Sequence, residues 1–403
     1  MFKIIDMPMG TGKTTGLINY MNSNPQKKYM FITPFLDEVQ RIKDACPDLD
    51  FKEPVDKYSK LNDLKRLIAE QENIVSTHAL FNLIDKSLYN VLESVGYTLV
   101  LDEVIEAIEP INYKPMDVKK LVDSKIISIA EDGKVTAINN KYASIGLSDS
   151  PIIRKIRNQN VYFIDDTLLL CIFNPEIFPL FRERIILTYL FKGSLMQSYL
   201  KIFHFDWEYY NIKDNEILKG KYDDLSFRTY AKEHIKIYAG KLNDIGNKDN
   251  SLSSTWYKSS KQKESRIILK NNLYNYFVNI EQIKNDVAMW STLIGINERV
   301  KNFMTPKGYK TDCFVPCNAR ATNKFDNKKS LAYCVNVYVN PFILKYLLKN
   351  DIELEQDLYA LSQMVQWIWR SSIRKGEEVN IYIPSKRMRN ILIRWMNGEF
   401  EDC

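Results

Sequence analysis

Three groups of residues in this 403-residue chain have the types and spacing to do chemistry. The first is Pro8-Met9-Gly10-Thr11-Gly12-Lys13-Thr14-Thr15, which follows the apolar run Phe2–Ile5 and opens the helical pattern Thr14–Met21. A glycine turn between a strand and a helix aims successive backbone N–H groups inward, at a spot that suits a phosphate. Lys13 can neutralise charge on β- and γ-phosphates, and the Thr14 hydroxyl can ligate a magnesium ion. The strict pattern departs at its first glycine, where Met7 stands, while the Gly-x-Gly-Lys-Thr core is complete. The second group is Asp102-Glu103, two acids closing the apolar run Tyr97–Leu101. At the C-terminal edge of a parallel sheet, Asp102 can hold magnesium through water and Glu103 can act as general base on an attacking water. The third is Gln366, Arg370 and Arg374, spaced by four, which on one continuous helix share a face.

The elements that must position these groups alternate. Strand patterns at 28–33 and 73–77 each lead into a helical pattern, and a further one at 97–101 ends in Asp102-Glu103, an alternation that implies a parallel sheet with helices on its faces. After Glu103 the alternation stops, and residues 106–180 read as an insertion. Within it, 125–130 and 135–138 flank Asp132-Gly133, a pair that supplies the positive φ angles of a tight hairpin. The sheet resumes at Glu183–Leu190. Residues 242–262 are rich in Asn, Asp, Ser and Lys and predict an exposed loop. Strand patterns recur at 286–292, 311–316, 331–339 and 379–383, with helices predicted over 357–374 and 386–396, so a second α/β unit is expected. The predicted division is 1–205 and 206–403.

Composition bounds the setting. With 56 Lys and Arg against 50 Asp and Glu, a net charge of +6 permits a polyanionic partner without requiring one. Six cysteines without a Cys-x-x-Cys pair, beside three histidines, favour neither a zinc site nor a disulfide framework. No run reaches the roughly 18 apolar residues that span a bilayer, so a cytoplasmic protein without membrane partners is expected.

The blocks together resemble superfamily 2 helicases, most closely the DExH-type replication helicases of phages and mobile elements. Pro8–Thr14 resembles motif I, and Phe31–Pro34 resembles motif Ia. Ser76-Thr77-His78 resembles the strand-contacting Thr-His motif, and Asp102–Ile105 resembles motif II with isoleucine in its fourth place. Ile186–Leu190 and Arg320–Asn323 stand where motifs III and V are expected. Gln363–Arg374 is similar to motif VI, with the second arginine one residue late. The resemblance implies two RecA-like P-loop domains, ATP and Mg2+ as cofactors, and a nucleic-acid partner, DNA before RNA, with replication proteins as further partners. It implies catalytic roles for Lys13, Glu103, Gln366, Arg370 and Arg374, the arginines as fingers on the γ-phosphoryl group. Gly10, Thr11, Gly12, Lys13, Thr14 and Thr15 would bind nucleotide, Thr14 and Asp102 the metal, and Thr33, Thr77, His78 and Thr322 the strand. Arg387, Arg389 and Arg394 on the last helix read first as a solvated basic face and second as phosphate contacts, and the inserted hairpin as a strand-separating wedge or docking element. Two rivals are a nucleotide-dependent switch or loader and a phage packaging motor. The second half shows no carboxylate cluster for the nuclease a packaging motor would carry.

Overall fold

A computed structural model describes residues 1–55, 59–138, 150–293, 303–309, 313–317 and 324–400. The architecture is α/β as expected, with two units built on parallel sheets and an inserted β segment in the first. One unit comprises Met1–Met7, Thr11–Tyr222 and Val339–Leu354; the other comprises Pro8–Gly10, Asp223–Tyr338 and Glu355–Cys403.

The first unit contains β1 (Phe2–Asp6), β2 (Tyr29–Thr33), β3 (Ile74–Thr77) and β4 (Thr98–Asp102). An inserted set follows: β5 (Ile108–Ile111), β6 (Ile127–Ile129), β7 (Lys134–Ala137), β8 (Asn160–Ile164) and β9 (Leu168–Ile172). The chain returns with β10 (Glu183–Thr188), β11 (Trp207–Lys213) and β12 (Glu216–Lys219). The main sheet has the order β12-β11-β1-β10-β4-β2-β3, parallel except for β12. Every residue of β2 and β4 is buried, as strands covered by helices on both faces require. Their side chains join Leu17 and Met21 of the helix Lys13–Asn22 and Val39 and Ile42 of the helix Leu36–Ala45 in one core.

The division at 205/206 is not where the first unit ends. β11 pairs in parallel with β1, Phe2 opposite Trp207, and β12 closes a hairpin on β11, which carries the unit to Tyr222. The chain also revisits this unit late. In the helix Pro341–Lys349, Tyr346 packs on Tyr162 with ring centroids 5.4 Å apart, and the Lys345 ammonium lies 2.6 Å from Asp165 of the insertion. Neither excursion leaves a local pattern, because each is a pairing between distant segments.

The insertion is a five-stranded antiparallel sheet, β5-β9-β8-β7-β6, with its own core of Val118, Ile127, Val135, Ile153 and Val161. The predicted hairpin is its β6–β7 edge, and only Gly133 of the turn takes a positive φ (87°). Gly133 N–H donates to Ala130 O, and the Asp132 carboxylate accepts from Lys134 N–H, so aspartate braces the turn instead of sharing the left-handed conformation.

In the second unit β13 (Ile235–Ile237), β14 (Ala288–Ser291), β15 (Ser330–Tyr333) and β16 (Val379–Tyr382) form a parallel sheet of order β13-β16-β15-β14. The segment 242–262 is not simply an exposed loop: it holds short helices, and Leu252, Trp256 and Tyr257 are buried. Trp290, Trp367, Trp369 and Trp395 are also core residues, which leaves these rings unavailable for stacking on bases. Gly246 is fixed by close packing, since a Cβ there would lie 1.9 Å from Pro384 O, a backbone atom that cannot swing aside. Gly246→Ala is therefore expected to destabilise the second unit by about 1–3 kcal/mol or more, measured by urea unfolding. An unchanged midpoint would show that the backbone here relaxes freely.

Candidate nucleotide site

The register of the first sheet gathers the polar residues that end its apolar strands. Asp6 lies opposite Thr188, Leu187 opposite Asp102, and Ile32 opposite Leu101, so Asp6, Thr188, Asp102 and Thr33 line one C-terminal edge. The glycine loop leaves that edge between β1 and the helix Lys13–Asn22. Gly10 and Gly12 have φ of 79° and 81°, a left-handed conformation that costs other residues most of a kcal/mol or more. A Cβ built on either glycine meets nothing within 4 Å among the described residues. Glycine is thus needed for the backbone turn, and the loop borders open space of the kind a phosphate would fill. Gly12 caps the helix without a side chain, and its first turn carries no acid, so the helix N-terminus keeps its donors and its positive pole for an anion.

Lys13 is buried, and its ammonium donates to Met7 O at 3.1 Å, which folds the side chain back over the loop. The Thr14 hydroxyl lies 3.5 Å from Asp102 Oδ1, and the Thr33 hydroxyl 3.5 Å from Asp102 Oδ2. Burial, reinforced by the neighbouring Glu103 charge, pushes the Asp102 carboxyl up to about 7, while Lys13 pulls it down. A buried carboxylate held this reluctantly, beside a hydroxyl, is a hard-oxygen pair of the type magnesium takes. The residues present therefore fit a magnesium–triphosphate. Glu103 has a φ of 71°, unusual for a residue with a Cβ, and its N–H donates to Leu187 O at 3.0 Å. That kink turns the chain out of β4 immediately after Asp102, leaving Glu103 half-buried while Asp102 is enclosed.

Not every expected residue stands where the motif pattern put it. Thr11 is half-buried in the loop, and Thr15 is exposed in the first turn of the helix. Thr33 is fully buried with its hydroxyl toward Asp102, so it belongs to the acidic cluster and does not offer its hydroxyl to a strand. Thr77 pairs with Thr33 across β2 and β3 and is half-buried, as is His78, which opens the short helix His78–Phe81. Thr322, with the motif V segment, lies outside the described residues.

In the second unit, Gln366, Arg370 and Arg374 do not share a helix face. The helix Gln356–Ile368 ends at Trp369, Arg370 sits buried in the turn beyond it, and Arg374 is exposed in a single 3-10 turn, Ser372–Lys375. Ser372 N–H donates to Lys328 O and the Tyr230 hydroxyl to Ile373 O, contacts that stop the helix and lead the chain into β16. The last helix, Lys386–Met396, is not a free basic face. Arg387 donates to Val337 O and Asp357, Arg389 to Ile383 O and Pro384 O, and Arg394 pairs with Asp357. These guanidinium groups tie the last helix to the helix Gln356–Ile368 and to the carbonyls of Val337, Ile383 and Pro384.

One residue at the sheet edge belongs to no sequence motif. Asp6 accepts Phe191 N–H at 3.1 Å, whereas its Oδ1 is buried with no hydrogen-bond partner among the described residues. Burial pushes its carboxyl up to about 6, against the pull of the Phe191 N–H and of Lys13. A sequence signal for it exists, since Asp6 closes an apolar strand as Asp102 does. Because the folded state holds this proton above the unfolded carboxyl's range, the contribution of Asp6 to stability is fully present below about pH 4 and is lost as pH rises through about 6. Asp6→Asn, which can still accept from Phe191, is expected to remove about 1–3 kcal/mol of that loss. Urea unfolding at acid and neutral pH checks this, and parallel profiles for both proteins would refute it.

Comparison with known proteins places the chain. Residues 229–396 match the family model described as the YonV C-terminal Rossmann-like domain. Over 98% of its length the chain is 35% identical to the SPbeta prophage-derived uncharacterized protein YonV of Bacillus subtilis strain 168, covering 99% of that protein. Among solved structures it is similar to an XPD helicase, at 10% identity over 99% of this chain and 94% of the other with a TM-score of 0.46. It is also similar to Xpd4 of S. tokodaii, at 11% identity over 100% and 94% with a TM-score of 0.43. No described helix is long and apolar enough to cross a membrane. At one-third identity over essentially the whole of both chains, this protein belongs to the YonV family.

Proposed function

We propose that this chain hydrolyses ATP to move along or unwind nucleic acid, DNA before RNA, in replication or recombination of a phage or prophage. The observation that carries the reading is the glycine loop. Two left-handed glycines border open space at the head of an uncapped helix, and Thr14 meets the buried Asp102 beside it. The first-turn N–H groups and Lys13 bind the β- and γ-phosphates, while Thr14 and Asp102 hold magnesium, which supplies charge neutralisation there. Glu103, set off from β4 by its kink, takes a proton from the attacking water at its carboxylate. Arg370 or Arg374 serves as the finger that stabilises charge on the transferring group, and Thr77 and His78 contact the strand.

A strand-displacement assay on DNA and RNA forks with 5′ or 3′ single-stranded tails tests this reading, with ATPase followed in parallel. ATP-dependent displacement, with hydrolysis stimulated by the single strand, is expected. Hydrolysis indifferent to nucleic acid would replace the motor by a switch or loader.

A further inference from the structure

The helix Lys263–Asn275 of the second unit carries an outward stripe that no motif explains. Lys263, Ile267, Lys270 and Tyr274 follow one another at steps of four, three and four, the spacing of a single helix face. Ile267 is 42% exposed, Ile268 beside it 50%, and Tyr274 38%. Phe303, 38% exposed, extends the stripe sideways, with the Lys270 ammonium 5.4 Å above its ring. The run leading into the helix adds Lys258 and Lys261, so residues 251–275 hold five basic side chains against one acid, Glu264. Arg266 is used internally, donating to Tyr257 O and Ser259 O. Lys258, Lys261 and Lys263 are exposed and make no ion pair with any described residue. Among the described residues the surface therefore combines positive charge that has no ion-pair partner with exposed rings and apolar side chains.

We propose that this face binds single-stranded nucleic acid, with Lys258, Lys261 and Lys263 on phosphates and Tyr274 and Phe303 against base faces. Charge complementarity selects a polyanion. The exposed rings select an unpaired strand, because a duplex hides the base faces they would cover. The inference rests on the nucleic-acid reading above and adds a binding surface built from residues outside the helicase-like motifs.

The test is fluorescence anisotropy with labelled oligo-dT and oligo-U of about 20 nucleotides, run across a salt series. Two variants are compared with the full wild-type chain: the triple reversal Lys258→Glu, Lys261→Glu, Lys263→Glu, and Tyr274→Ala. The triple reversal is expected to weaken binding at least ~10-fold and to lower the salt slope by about 2, at roughly 0.7 for each phosphate no longer neutralised. Tyr274→Ala is expected to weaken it about 5- to 100-fold with the slope nearly unchanged, since stacking releases no counterions. The oligo-dT and oligo-U arms show which sugar the face prefers. Both variants alter exposed side chains, and ATPase without nucleic acid should match wild type and report an intact fold. Wild-type binding in both variants would overturn the proposal and leave the motor reading standing. A wild-type chain that binds neither oligonucleotide would overturn both. Altered light-scattering mass with unaltered oligonucleotide binding would overturn it too and reassign the face to pairing between copies of the chain.

Discussion

Lys13→Ala is expected to abolish ATP hydrolysis, with a loss of at least ~1,000-fold in turnover. Two features make this the largest single effect available. The ammonium is a full positive charge folded back over the glycine loop, in a buried setting where charge is weakly screened. Its bond in the structure is to Met7 O, within its own loop, so truncation removes phosphate binding and little structural support. Affinity for nucleotide should fall together with turnover, and the unfolding midpoint should stay near wild type. Malachite-green phosphate release beside urea unfolding separates these quantities. A Lys13→Ala protein that hydrolyses ATP at even a tenth of the wild-type rate would mean the loop is not the phosphate site.

Glu103→Gln is expected to act on the chemical step instead. The amide keeps the size of the side chain and cannot take a proton, so turnover should drop about 100- to 10,000-fold while nucleotide is retained. The backbone argues that the fold tolerates it: the 71° φ of Glu103 is as unusual for glutamate as for glutamine, and the Glu103 N–H bond to Leu187 O is untouched. Single-turnover measurement with bound ATP distinguishes the two effects. Slow hydrolysis from a fully occupied site is the expected pattern, whereas normal hydrolysis would remove Glu103 from the role of base.

The first unit is largely legible in the sequence because its signals are local. An apolar run, a glycine turn and a helical period occur within the first 22 residues, and the acids after β4 repeat the same strand-end logic. What is not legible depends on pairings between distant segments. β11 looks like the start of a new domain until it is seen hydrogen-bonded to β1, and the helix Pro341–Lys349 reads as part of the second half until Tyr346 meets Tyr162. The Gln366–Arg374 spacing suggests a continuous helix, but capture of Ser372 N–H by Lys328 O ends it after Ile368. Motif position assigns Thr33 to a strand contact, and register turns it toward Asp102. In each case a pairing between distant segments decides how far a local pattern extends or how it is used.

Isothermal titration of the wild-type chain with ATP, in the presence and absence of magnesium, tests the central claim most directly. One site per chain is expected, weakened when magnesium is withheld and lost in Lys13→Ala. Heat indistinguishable from dilution with magnesium present, or equal binding by Lys13→Ala, would contradict the assignment of the glycine loop and Asp102 as a magnesium–triphosphate site.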